Sequence, residues 1–340
     1  MKNFKRIFSW ICLSLVIQFA GLFYIDKYYL AVDTGVKVKK IENKNKQPDI
    51  EVAIPSNATH TGVSFDGKYA AYYQEDVLKV VNTKTGKIKD ISFDDGVKVS
   101  YYKWISDRNR MLIAEKHSTE DGYGFKLSYY DVDKDSKEEI KDLTWGDQVS
   151  EVEDIQASTL TNVIYVNVSR GEEKNNLYWI NIMKEMKKVP IQAYSVGHTA
   201  ILNHEDKLLY EDANSNKIFG TNMDESVEIT GVKNPCLLGV DTEDNVYIGA
   251  MENNKMTKIY YGNLEEATSQ WTQMALKEPA SKEDIFILNE GKILVNDSIK
   301  GVIKDIGTGK ETVYKGKILQ IFSTGIASIL DGKLVKTNFN

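Results

Sequence analysis

The chain has 340 residues, of which 42% are hydrophobic and 27% are charged, and its formal net charge is -6 at pH 7. A chain of this length and composition can bury a sizeable core without disulfide support. Its acidic balance disfavours nucleic acid as a partner, because an acidic surface repels phosphodiesters.

Residues 7 to 25 form an uncharged, mostly apolar run, long enough to cross a bilayer as one helix. Lys2, Lys5 and Arg6 precede the run and predict that the N-terminus stays in the cytoplasm. A cleaved secretory signal is the alternative, but the run has no good small-x-small cleavage site and exceeds a typical signal core. The sequence therefore predicts a cytoplasmic tip and transmembrane signal anchor over residues 1–27, with the rest of the chain extracytoplasmic.

Residues 28–49 are predicted to be an extracytoplasmic linker. The segment from Lys37 to Pro48 is polar, charged and without apolar periodicity. Its positive charge leaves open a second interpretation, a docking patch for anionic lipid or wall polymer.

Residues 50–340 repeat a unit of four short strand-like runs about every 40 residues. The clearest copy runs from Ser64 to Tyr72, continues through Val77 to Val81 and ends in the turn from Asn82 to Gly86. A four-stranded unit cannot bury both faces alone, so copies must stack on one another, and radial stacking produces a β-propeller. The absence of a composition shift near the midpoint disfavours two β-sandwiches.

The two ends of this region predict how the ring closes. Three strands end the chain, at Lys317 to Phe322, Ile326 to Leu330 and Leu334 to Asn338, while Glu51 to Ile54 stands alone before the first unit. If that isolated strand completes the last blade, no unpaired edge remains. The fold class is therefore all-β, a propeller with seven four-stranded blades preceded by one transmembrane helix. Six or eight blades stay open, because predicted strand boundaries shift by a few residues.

The copy Ser64-Phe65-Asp66-Gly67-Lys68-Tyr69-Ala70-Ala71-Tyr72 resembles the Ser-Pro-Asp-Gly-Lys-x-φ-Ala-φ signature of TolB-like propellers. The WD40-like propeller domains of prolyl oligopeptidase and dipeptidyl peptidase IV carry the same signature, and Phe65 departs from the family proline. The resemblance implies a propeller scaffold and no particular activity. The Gly-x-Ser-x-Gly nucleophile motif of such peptidases does not occur in the sequence, so we predict no peptidase chemistry.

Four residues are candidates for contact with a ligand. His60 and His198 have threonine neighbours and precede the first strands of two blades, a position near the central channel of many propellers. Tyr101 and Trp104 belong to an aromatic run in which alternate rings point to opposite faces of a strand. The competing interpretations are structural turn histidines and core aromatics.

Asp131, Asp133 and Asp135 form a candidate calcium site, because alternate carboxylates can converge on one hard cation. The segment lacks the glycine expected at the sixth position of such a loop, and Asp142 occupies its twelfth position. The alternative is a solvated acidic hairpin turn. No other cofactor is predicted.

These observations favour a membrane-tethered, extracytoplasmic binding or scaffold module without catalytic activity. Its predicted partners are the cytoplasmic membrane and either another envelope protein or a cell-wall glycan. The excess of lysine over arginine hints at an AT-rich bacterial genome. The alternative is a propeller-type lyase, lactonase or glycosidase acting on an extracellular sugar or small molecule, which requires convergent carboxylates or metal ligands in the channel.

Overall fold

A computed structural model describes residues 2–25, 51–94, 96–120, 122–143, 148–171 and 173–339. The chain divides into two compact units, residues 1–49 and residues 50–340. The predicted linker at residues 28–49 lies outside the described residues.

In the described part of the N-terminal unit there is one helix, α1, which spans Lys2–Ile25. The helix itself confirms the sequence prediction. Within the described part of the chain, however, no helix combines the length and apolar character that crossing a membrane requires. The structure therefore does not support the predicted transmembrane span.

The second unit consists of seven antiparallel sheets, which confirms an all-β propeller with seven blades. The strands of blades 1 to 3 are β2 to β5 (Thr59–Val63, Tyr69–Gln74, Val77–Asn82, Ile88–Ile91), β6 to β9 (Lys98–Trp104, Arg110–Thr119, Gly122–Asp131, Ser136–Leu143) and β10 to β13 (Ser150–Ser158, Val163–Arg170, Glu173–Asn181, Met186–Val189). The strands of blades 4 to 6 are β14 to β16 (Val196–Ile201, Leu208–Asp212, Lys217–Gly220), β17 to β20 (Pro235–Val240, Val246–Glu252, Lys255–Gly262, Thr272–Ala280) and β21 to β24 (Ile285–Ile287, Ile293–Asp297, Val302–Asp305, Glu311–Val313). Blade 7 contains β25 to β27 (Lys317–Phe322, Gly325–Leu330, Lys333–Asn338) together with β1 (Val52–Ala53).

Ring closure follows the sequence prediction. Strand β1 pairs with β27 so that Val52 lies opposite Leu334, and the Ile54 N–H donates to the Gly332 carbonyl at 2.8 Å. Both Val52 and Ile54 are buried. The last blade therefore takes its outer strand from the start of the propeller, and the ring has no open seam there.

The hydrophobic core lies between blades, in a series of separate clusters. Each of the seven junctions between neighbouring blades has a cluster with residues from both sides. The second strands are therefore covered on both faces, as in the fully buried run Tyr69 to Tyr72. This explains why these strands are continuously apolar instead of alternating.

Blade 4 departs from the sequence prediction. The sequence predicts four strands in every blade, yet blade 4 has three, and residues 226–232 are irregular where an outer strand would lie. The segment bonds to β16 through the Val227 N–H and the Ile218 carbonyl at 2.8 Å, then turns as Val232 N–H donates to the Ile229 carbonyl at 3.0 Å. Gly231 has a φ of 82° in that turn, a conformation that ends a strand.

Candidate functional site

The first strand of each blade is the innermost, since at most junctions the first strands of successive blades approach one another around the ring. In the first strands of six blades the register with the second strand shifts at a bulge. Bulges change the direction in which side chains point and are frequent near functional sites. His60 and His198 both lie in these bulged segments, on β2 and β14. The two histidines thus lie within the first strands, whereas the sequence analysis placed them just before these strands.

A cavity of about 440 Å³ opens where the inner strands of blades 2 to 5 meet the turns that follow them. Its wall includes two of the predicted residues, Trp104 and His198. Most of its other polar lining is uncharged, including Gln156, Thr199 and Asn289. Neither His60 nor Tyr101 belongs to this wall.

Asp154 organises one side of the cavity. Its carboxylate pairs with Lys103 Nζ at 3.1 Å and accepts hydrogen bonds from Gln156 Nε2 at 2.8 Å and from the Thr199 hydroxyl. Burial alone would raise the pKa of Asp154, but the charge of Lys103 and these hydrogen bonds together lower it. Asp154 is therefore ionised at neutral pH, and its charge is matched by the lysine.

Gln156 and Thr199 also join two blades. Gln156 Nε2 donates to Thr199 Oγ1 at 3.0 Å and to the Thr199 carbonyl at 3.2 Å, across the junction of blades 3 and 4. Tyr101 reaches the same carboxylate from blade 2, with its hydroxyl 3.3 Å from Asp154 Oδ1. The ring geometry thus assembles one polar network from three blades.

A second ion pair lies beside His198. Glu211 accepts two hydrogen bonds from Lys282 Nζ, at 2.7 and 2.9 Å, and one from the His198 backbone N–H at 3.1 Å. The His198 side chain is exposed, yet the protein atoms packed around it partly desolvate the imidazole and lower the pKa of His198. The charge of Lys282 lowers it further, against the opposing effect of Glu211 and Asp154. The neutral imidazole is therefore favoured at pH 7.

The remaining predicted ligand residues have structural contacts. Tyr101 packs against the core between blades 2 and 3, and Trp104 against the core between blades 1 and 2. His60 is exposed, has a φ of 50°, and its carbonyl accepts a hydrogen bond from Tyr102. A ligand role for each of them stays a prediction.

The three aspartates of the calcium candidate do not converge. Each is engaged with a different base: Asp131 with Arg110, Asp133 with Lys68 and Asp135 with Lys89. Among the described residues, no group of three or more His, Cys, Asp or Glu side chains could hold a metal ion. A calcium ion would have to displace these bases, and the prediction stays untested.

Sequence reasoning missed Asp154, Gln156, Thr199, Glu211 and Lys282. A signal was present for the first two, because Asp154 and Gln156 alternate with the buried Ile155 and so share one face of an inner strand. Nothing local marks the pairing of Glu211 with Lys282, since the two residues lie 71 positions apart in the chain.

Comparison of the sequence with protein families and with curated proteins finds no match. Solved structures do match. A prolyl endopeptidase is similar over 81% of this chain and 46% of its own length, with a TM-score of 0.52 and 12% identity. Porphyromonas gingivalis dipeptidyl peptidase 4 is similar over 75% of this chain and 44% of its own, with a TM-score of 0.46 and 11% identity. A luciferin-regenerating enzyme is similar over 84% of this chain and 91% of its own, with a TM-score of 0.41 and 12% identity.

At these identities the likeness concerns the fold alone, and the chain spans less than half the length of the two peptidases. The structural match to the prolyl endopeptidase agrees with the motif from Ser64 to Tyr72. The chain thus has a β-propeller that is similar, at the level of fold, to part of a prolyl endopeptidase.

Proposed function

We propose that this protein is a non-catalytic binding module whose channel cavity takes an uncharged, polyhydroxylated ligand of the cell-wall glycan type. One observation carries the proposal: most polar groups of the wall are uncharged, and its charged groups are already engaged within the protein. Lys103 is paired with Asp154 and Asp107 with Arg108, while Asp241 accepts hydrogen bonds from Asn245 and Tyr247. A charged ligand would have to compete with these pairs, whereas an uncharged one would not.

The rest of the wall suits such a ligand. Gln156, Thr199 and Asn289 offer amide and hydroxyl groups, and Trp104 offers aromatic surface, the usual combination for sugar hydroxyls and ring faces. A volume of about 440 Å³ falls within the range of small-molecule sites.

The proposed location is the outer side of a cell membrane, where the propeller would meet an envelope protein or a wall glycan. This part rests on the uncharged run at residues 7 to 25 and the bases before it. A tether would raise the local concentration of the propeller near such partners. Recovery of the full-length protein in washed membranes, with the propeller cleaved by external protease, is the expected result. Recovery of the full-length protein in the unwashed soluble fraction would contradict it.

Calorimetric titration with N-acetylglucosamine oligomers tests the ligand proposal. A Gln156→Ala, Thr199→Val double variant removes neutral hydrogen-bonding groups from the wall and should weaken binding about tenfold. Gln273→Ala, which changes an exposed glutamine on blade 5, is the matched control and should bind like the parent. Equal affinity for all three proteins, or no saturable heat, would contradict the proposal.

His198 favours a second candidate, a propeller-type lyase, lactonase or glycosidase. A neutral imidazole in a channel beside a lysine and a carboxylate can act as a general base. Turnover of a sugar lactone or an oligosaccharide that falls at least a hundredfold in His198→Gln would support this candidate. Binding without turnover in the parent protein would favour the first.

A further inference from the structure

A groove of about 740 Å³ lies outside the channel, where blade 4 meets blade 5. One wall is the irregular segment that replaces the outer strand of blade 4, residues 223–228, and the opposite wall is the loop of blade 5 at residues 264–271. We call this feature the blade 4–5 groove. It forms because blade 4 has three regular strands.

The walls of the blade 4–5 groove are held in place. Gln192 Nε2 donates to the carbonyls of Met223 and Asp224, each at 3.1 Å. On the other side, Thr268 Oγ1 donates to the Glu228 carbonyl at 2.7 Å and so links the two blades. The groove is therefore preformed, which reduces the ordering cost of binding there.

The floor is apolar. Phe219, Val227 and Trp271 are buried beneath it, and Met223 and Leu264 are partly exposed along it. An apolar side chain that enters the groove would therefore meet apolar surface.

The rim carries excess negative charge. Asp224, Glu225, Glu228 and Glu266 are exposed, and within the described part of the chain none of them forms an ion pair. Lys217 is the one base among the described residues that line the groove. These carboxylates differ from Asp154 and Glu211 of the channel, whose charges are matched.

We propose that the blade 4–5 groove docks an extended, basic segment of a partner protein. Lysine or arginine side chains of that segment would lie along the carboxylate rim, while its alternate apolar side chains would face the floor, as the two faces of an extended chain do. The negative charge of the rim repels nucleic acid and other acidic polymers and so excludes them as occupants. This proposal does not depend on the ligand of the channel.

The probe is a synthetic twelve-residue peptide that alternates lysine with valine and threonine, titrated into the full chain by fluorescence anisotropy. Replacement of the four rim acids, Asp224→Asn, Glu225→Gln, Glu228→Gln and Glu266→Gln, should weaken binding at least tenfold. The matched control replaces four exposed acids elsewhere, Glu75, Glu120, Glu243 and Glu278, by glutamine and should change affinity less than twofold.

A second variant tests shape separately from charge. Ala267→Trp places a large side chain at the exposed rim of the groove and should also weaken binding at least tenfold, with all four acids retained. Equal weakening in the groove and control variants, the absence of saturable binding, or undiminished binding by Ala267→Trp would overturn the proposal. Concentration-dependent dimers that disappear in the four-acid groove variant would overturn it too, by making a second copy the occupant.

Discussion

Blades 1 and 4 connect their first two strands by turns of different construction. In blade 1, Asp66 Oδ1 accepts from the Ser64 hydroxyl and the Lys68 N–H, both at 2.9 Å. In blade 4, the backbone N–H groups of Asn203 and His204 donate to Asp244, at 2.5 and 2.9 Å, and Asp244 belongs to blade 5. The first turn is stabilised within its own sequence and the second by a neighbour, so a sequence motif identifies only the first.

The outer edges of the two blades differ in the same way. Blade 1 ends in Ile88–Ile91, which pairs with Val77–Asn82 along a regular ladder. Blade 4 ends in residues 226–232, which are not a strand. Blade 1 therefore has a regular outer strand. In blade 4 an irregular segment takes that place and forms one wall of the blade 4–5 groove.

The largest expected effect concerns two glycines, one in each blade. Gly67 has a φ of 65°, and a methyl group there would lie 3.0 Å from the Phe322 ring, so Gly67→Ala should lower the free energy of unfolding by roughly 3 kcal/mol. Gly231 has a φ of 82° with no atom within 4 Å of such a methyl group, so Gly231→Ala should cost roughly 1 kcal/mol. Urea denaturation measures both. Equal losses would show that the Phe322 contact adds nothing to backbone strain.

The same aspartate-to-asparagine change, made for each of the two turns, compares how much the aspartate stabilises the turn of blade 1 and that of blade 4. Asp244 is buried, and Asp244→Asn removes one of the two acceptor oxygens that serve backbone donors of blade 4, so it should cost about 2 kcal/mol. Asp66→Asn keeps an acceptor for Ser64 and Lys68, and should cost about 0.5 kcal/mol. Glu243→Gln, beside Asp244 and exposed, is the control. A larger loss from Asp66→Asn than from Asp244→Asn would reverse the interpretation of the two turns.

The smallest expected effect is the titration of His198 in blade 4. Its pKa in the folded protein should lie below 6.5, mainly because of burial and then because of Lys282, and should rise in Lys282→Met. The contribution of neutral His198 to stability is complete above pH 6.5. It is lost as the pH falls from 6.5 toward the pKa of His198 in the folded protein, since the unfolded chain then binds more protons. Proton NMR of the imidazole follows the titration. A pKa above 6.5 would contradict the environment described for His198.

The sequence alone predicted the propeller and favoured seven blades, because turns and strand pairs between chain neighbours depend on local patterns. It predicted closure of the ring by Glu51 to Ile54 because this isolated strand and the three strands at the end of the chain together make one blade. It placed His60 and His198 just before the first strands, although both lie within them. It did not identify the loss of the outer strand of blade 4, where the apolar Val227 and Ile229 resemble a strand but are buried beside a turn.

Only the tertiary structure decided which side chains meet in the channel. Asp154, Lys103 and Thr199 come from three blades, and Glu211 meets Lys282 across 71 positions of sequence. Such contacts depend on how each blade is rotated against the next, which no local pattern encodes. Ring geometry therefore paired Lys103 with Asp154 and Lys282 with Glu211, and left the carboxylates of the blade 4–5 groove without an ion pair among the described residues.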